Sequence, residues 1–130
     1  MISTNKNNLE SVNKYVFVSY KSDPPNNIAF ITPWSFVHYC SGFLIVIILF
    51  ILNFKTFPKI FIIGNAIHLI YEIVDIQMKN YSLLNSTGDQ IFACLGILSC
   101  YYILFVLKQT KLIIPILIVY FTIFYIFEQF

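Results

Sequence analysis

The sequence predicts an all-α, four-helix transmembrane bundle of up-down-up-down topology, and three observations predict it. The 130-residue chain is 58% hydrophobic and only 11% charged, whereas about a quarter of the residues in a soluble domain are charged. Its apolar residues fall in four runs, Ser35–Asn53, Phe57–Ile76, Asp89–Leu107 and Leu112–Phe130. Each run approaches the roughly 20 residues that cross ~30 Å of hydrocarbon. Short polar segments separate the runs, so neighbouring helices are expected to pack antiparallel.

Residues 1–31 are expected to form a polar, loosely ordered tail that is partly interfacial. Within it, Tyr15–Tyr20 reads as a short strand or an interfacial segment, and Asp23-Pro24-Pro25-Asn26-Asn27 is turn chemistry that forbids a helix. The membrane domain is expected over 32–130, with helices near 33–53, 57–77, 87–107 and 112–129. Thr32 is placed as the first N-cap, with Pro33 at the first helical position. Trp34 stands where an interfacial aromatic belongs. Lys55-Thr56-Phe57-Pro58-Lys59 and Lys108-Gln109-Thr110-Lys111 are tight turns, and Met78–Gly88 is a longer polar loop. Ser86 and Asp89 match the S-x-x-D capping signature at the start of the third helix. The fourth helix is bulky on every side until Glu128 and is expected at the periphery. No apolar stretch occupies the first residues, so a cleaved signal peptide is not expected; the first membrane helix is expected to act as the insertion signal.

A formal charge of +2, carried by Lys without any Arg, is too small to imply nucleic acid. Cys40, Cys94 and Cys100 form an odd set without C-x-x-C and read as soft packing residues. Lys55, Lys59, Lys108 and Lys111 gather in the two tight turns, which the positive-inside rule places in the cytoplasm. The N-terminus, the Met78–Gly88 loop and the C-terminus would then be outside or lumenal. That loop carries the sequons Asn80-Tyr81-Ser82 and Asn85-Ser86-Thr87. Chance alone supplies sequons in an Asn-rich chain, and Asn85 lies close to the membrane, so they carry little weight.

The functional signal is polar. Asn65, His68, Glu72 and Asp75 lie on one face of the second helix. Ionisable groups at membrane depth cost several kcal/mol and normally face a bundle interior with partners. His38 near the outer end of the first helix and Asp89 at the start of the third fall at the same level. Small residues mark facing stripes: Ser35, His38 and Gly42; Gly64 and His68; Asp89, Ala93, Gly96 and Cys100. The candidate site is therefore His38, His68, Glu72 and Asp89. Two chemistries suit these side chains. A divalent metal fits His38, His68 and a carboxylate, with a position left for water. Alternatively, Glu72 or Asp89 holds a His in the tautomer needed for general base work. A blander reading makes the same residues an interhelical clamp. No H-E-x-x-H, G-x-S-x-G or Gly-rich phosphate loop occurs.

Three blocks at these residues resemble motifs of an uncharacterised family of small bacterial multi-pass membrane proteins, a domain of unknown function, and more distantly the VanZ-like proteins. Ser35-Phe36-Val37-His38-Tyr39-Cys40-Ser41-Gly42-Phe43-Leu44 is similar to S-x-x-H-x-x-H-G-F-L, with Ser41 in place of the second His. His68-Leu69-Ile70-Tyr71-Glu72-Ile73-Val74-Asp75 is similar to E-x-x-W-E-x-x-E, with His68 at the first Glu. Asn85-Ser86-Thr87-Gly88-Asp89, followed by Gly96, is similar to N-S-x-x-D-x-x-x-x-x-x-G. The resemblance spans about Trp34–Gly96 and implies a membrane fold with a shared polar site; it brings no known activity. The sequence thus predicts a multi-pass membrane protein whose cluster binds or acts on a lipid headgroup or similar amphiphile. The alternatives are a non-enzymatic scaffold, in which the cluster is a clamp, and an ion or proton pathway, which would need an oligomer.

Overall fold

Four long helices organise the described residues, 29–79 and 82–129 of a computed structural model. Helix α1 spans Pro33–Ile51, α2 Phe57–Lys79, α3 Leu83–Tyr101 and α4 Ile113–Gln129. A π-helical segment, Tyr102–Val106, prolongs α3, and a 3-10 turn, Thr110–Leu112, precedes α4. The fold is all-α, as the sequence predicts. All four helices, with their extensions, are long and apolar enough to cross a membrane. The expectations for the tail before Ala29, Tyr15–Tyr20 included, and for the Asn80 sequon lie outside the described residues.

Local chemistry sets the helix ends. Thr32 is the extended N-cap of α1, and its backbone N–H donates to Ser35 Oγ at 3.0 Å. At the other end the Asn53 N–H donates to the Phe50 carbonyl and the Phe54 N–H to the Leu49 carbonyl, each at 3.0 Å. That is a Schellman closure, and Asn53 takes the left-handed conformation it requires at φ 69°. The helix therefore stops at Ile51, two residues before the expected 53. Pro58 and Pro115 sit in the first turns of α2 and α4, where a missing N–H leaves no helical bond unmade.

The largest correction concerns the connection between α2 and α3. The polar segment Met78–Gly88 is mostly helical, since α2 continues to Lys79 and α3 begins at Leu83. Ser82, not Ser86, is the N-cap; its hydroxyl accepts from the Asn85 N–H at 3.1 Å. Asn85, Ser86, Gly88 and Asp89 therefore lie inside α3 and are buried. Their polarity serves packing. Asn85 Nδ2 donates to the Ala29 carbonyl at 2.9 Å, and Gly88 lets the Phe30 carbonyl approach so closely that a Cβ there would lie 2.0 Å from it. With its side chain fully buried, Asn85 is no acceptor for a glycan.

Helices α1 and α3 form the tightest pair. A Cβ on Gly42 would sit 2.3 Å from the Ala93 carbonyl, and one on Gly96 would sit 1.9 Å from the Tyr39 carbonyl. The expected small stripes thus bring two backbones together. Contacts between α1 and α3 advance in the same direction along both helices, from Ser35–Asp89 to Gly42–Ala93. Those between α1 and α2 run oppositely, from His38–His68 to Ile45–Gly64. Helix α4 has no buried residue and lies at the edge, as its sequence predicts. Trp34 holds it edge-on through Phe124 and Phe127, at centroid distances of 6.3 and 5.5 Å.

The bundle interior is divided along its length. Toward the Lys55 turn it is apolar, filled by Val46, Ile47, Leu49, Ile60, Ile97, Cys100 and Leu104. Toward the opposite end it is polar, with Ser35, His38, His68, Glu72, Asn85, Ser86 and Asp89 all buried. Ile62, Ile70 and Ile114 are more than 60% exposed. Apolar surface of that extent suits a hydrocarbon environment.

Candidate functional site

Three helices deliver the four side chains that the sequence singles out. His38 comes from α1, His68 and Glu72 from one face of α2, and Asp89 from α3. Their exposures are 7%, 3%, 3% and 1%. At 1.5 Å per residue the His38, Asp89 and Glu72 backbones lie about 7–11 Å inside the polar end, and His68 about 16 Å inside.

All four converge. His38 Nδ1 lies 3.1 Å from His68 Nε2 and 3.3 Å from Glu72 Oε1, and His68 Nε2 lies 3.6 Å from the same Glu72 oxygen. On its far side, His38 Nε2 lies 3.4 Å from Asp89 Oδ2. The imidazole planes are nearly perpendicular, at 83°. Ser35 donates from Oγ to Asp89 Oδ1 at 3.4 Å, which links the carboxylate to the start of α1. The three blocks compared above with family motifs each contribute here, through His38, Glu72 and Asp89.

The hydrogen-bond network assigns the proton on the His68 ring. Asn65 Nδ2 donates to the Phe61 carbonyl at 2.8 Å, so Asn65 Oδ1 is an acceptor. Gln90 Nε2 donates to that oxygen at 3.1 Å, which turns Gln90 Oε1 toward His68 Nδ1 at 2.9 Å. An amide oxygen only accepts, so His68 Nδ1 carries the proton and Nε2 the lone pair. His38 stands between two carboxylates, with Asp89 Oδ2 3.4 Å from Nε2 and Glu72 Oε1 3.3 Å from Nδ1; a proton on Nε2 directed at Asp89 leaves the Nδ1 lone pair facing His68 and Glu72. In that tautomer the two lone pairs and Glu72 Oε1 face one another.

The sequence omits Gln90 from the site and counts Ser35 only as a small residue. The reason is geometric. Asp89 and Gln90 are adjacent, about 100° apart around α3, so one serves α1 and the other α2. The helical period places Asp89 on the face of Ala93, Gly96 and Cys100 and leaves Gln90 off it. Asn65 enters only through Gln90. Asp75 is half-buried near the end of α2. The three cysteines are free thiols; Cys100 belongs to the apolar tier, which agrees with a packing role.

The site also adjoins the outer surface. Tyr71, which is 50% exposed, has its ring centroid 6.2 Å from that of His38 and 5.9 Å from that of His68. The neighbouring Ile70, Ile73 and Val74 are exposed apolar residues. No family model, curated protein or solved structure matches this chain.

Proposed function

We propose that this chain is a multi-pass integral membrane protein whose buried His38–His68–Glu72–Asp89 centre binds, or acts on, the polar head of a lipid or similar amphiphile. One observation carries the reading: four ionisable side chains meet within hydrogen-bonding range well inside helices suited to hydrocarbon, one side chain's width from the exposed face of α2. A ligand that reaches such a centre laterally needs a polar head for the centre and an apolar tail for Ile70, Ile73 and Val74. Intramembrane ionisable groups are costly and mark functional sites by default. A clamp needs no such concentration, because interhelical hydrogen bonds in membranes average only ~0.6 kcal/mol. A pathway through a single chain is disfavoured by the apolar tier from Val46 to Leu104, which fills the other half of the described interior.

Mass spectrometry of lipids retained after purification in mild detergent tests the reading. Wild-type protein is expected to keep one headgroup class in excess of the host membrane, and Glu72→Gln and Tyr71→Ala are expected to lose that excess. Identical lipid profiles in all three proteins would refute it.

A further inference from the structure

The three facing atoms specify more than a polar pocket. Glu72 Oε1, His38 Nδ1 and His68 Nε2 stand at edges of 3.1, 3.3 and 3.6 Å. A single proton on His38 Nδ1 reaches both His68 Nε2 and Glu72 Oε1 but leaves the His68–Glu72 edge unbridged. Protonating both rings sets two N–H groups against each other across 3.1 Å. A cation engages all three atoms at once.

The spacing selects the kind of ion. A tetrahedral ion with bonds of about 2.0–2.1 Å holds its ligand atoms about 3.3–3.4 Å apart. A point about 2.0–2.1 Å from all three atoms lies about 0.7 Å out of their plane, where a tetrahedral ion sits. Octahedral Mg²⁺ at similar bond lengths needs edges of about 2.9 Å and prefers oxygen donors. Two imidazoles and one carboxylate suit a first-row transition ion, and Zn²⁺ above all. The distal ring nitrogens are already engaged by acceptors, Asp89 and Gln90, as metal-bound histidines usually are.

We propose that His38 Nδ1, His68 Nε2 and Glu72 Oε1 form a three-ligand site for a divalent transition metal, preferentially zinc, with Asp89 and Gln90 orienting the two rings. The fourth tetrahedral corner takes water or an oxygen of the amphiphile's head. The inference rests on the centre being the functional site proposed above and gives it a Lewis-acidic ion.

The full chain in mild detergent, stripped with chelator and dialysed against Zn²⁺ or Co²⁺, provides the test. One Zn²⁺ per chain by inductively coupled plasma mass spectrometry is expected, and Co²⁺ should give the intense visible bands of four-coordination. His68→Ala and Glu72→Gln should each weaken Zn²⁺ binding at least ~100-fold. The Cys40→Ser/Cys94→Ser/Cys100→Ser variant should bind as wild type does. Absence of stoichiometric Zn²⁺, a six-coordinate Co²⁺ spectrum, or loss of metal in the cysteine variant overturns the proposal. The spectrum is read on wild-type protein, so a misfolded variant does not obscure the outcome. Lipid profiles of stripped and Zn²⁺-loaded protein separate the two ideas. A headgroup preference that depends on Glu72 without bound metal defeats the metal and leaves the amphiphile. Stoichiometric Zn²⁺ with an indifferent lipid profile does the reverse.

Discussion

Replacing Gly96 by Ala adds one methyl group to α3, and the structure shows what it meets. The new Cβ would lie 1.9 Å from the Tyr39 carbonyl oxygen, 2.9 Å from its carbon and 3.2 Å from Gly42 Cα, all of them backbone atoms. No rotamer relieves that contact. The helices must separate by about 1.5 Å to restore an ordinary separation near 3.4 Å. Overpacking a well-filled interior typically costs about 1–3 kcal/mol, and a backbone-on-backbone clash belongs at the upper end, about 3 kcal/mol. The separation also strains the His38–Asp89 and Ser35–Asp89 contacts, both at 3.4 Å and both between the same two helices. Gly64→Ala supplies the control. There the added Cβ meets only side-chain tips, Ile97 Cδ1 at 3.1 Å and Ile45 Cγ2 at 3.3 Å. A shift of a few tenths of an ångström accommodates it, and the gain in helix propensity, up to ~1 kcal/mol, offsets the cost. Reversible unfolding of detergent-solubilised protein in increasing SDS, followed by circular dichroism, measures both. Gly96→Ala should lose about 3 kcal/mol, and Gly64→Ala should stay within about 1 kcal/mol of wild type. Equal stability of the two variants would refute the close α1–α3 contact and, with it, the placement of Asp89 beside His38.

Other outcomes follow from the site and the helix ends. Gln90→Leu removes the acceptor on His68 Nδ1; it should weaken Zn²⁺ binding about 10–100-fold while leaving the helical circular dichroism signal intact. Zn²⁺ retention should fall as pH is lowered, because protons compete for His38 Nδ1 and His68 Nε2 while Glu72, Asp89 and Tyr71 are the other titratable groups facing them; retention that is flat or rises on acidification argues against imidazole ligands. Cysteines introduced at Thr56 or Thr110 should resist an impermeant thiol reagent in intact cells, and one at the exposed Leu83 should react, as the lysine distribution requires; the inverse pattern reverses the orientation.

The sequence by itself determines four membrane-length helices, because apolar run length is a one-dimensional property matched to a fixed bilayer thickness. It also determines the peripheral α4, the small-residue faces of the first three helices and the polar face of α2, since the helical period alone places Gly42, Gly96, His68 and Glu72. Other features belong to the tertiary structure. The start of α3 at Leu83 is one, because polar Asn85 and Ser86 read as a loop until Ala29 and Phe30 are seen packed against that turn. The site's chemistry is another. His38 and His68 are 30 residues apart, and no local pattern states which ring nitrogens meet. A hydrogen-bond relay through Phe61, Asn65 and Gln90 orients the His68 ring, and Asp89 and Glu72 flank the His38 ring. The direction of a ring's lone pair depends on partners from other helices, so it exists only once the helices have packed.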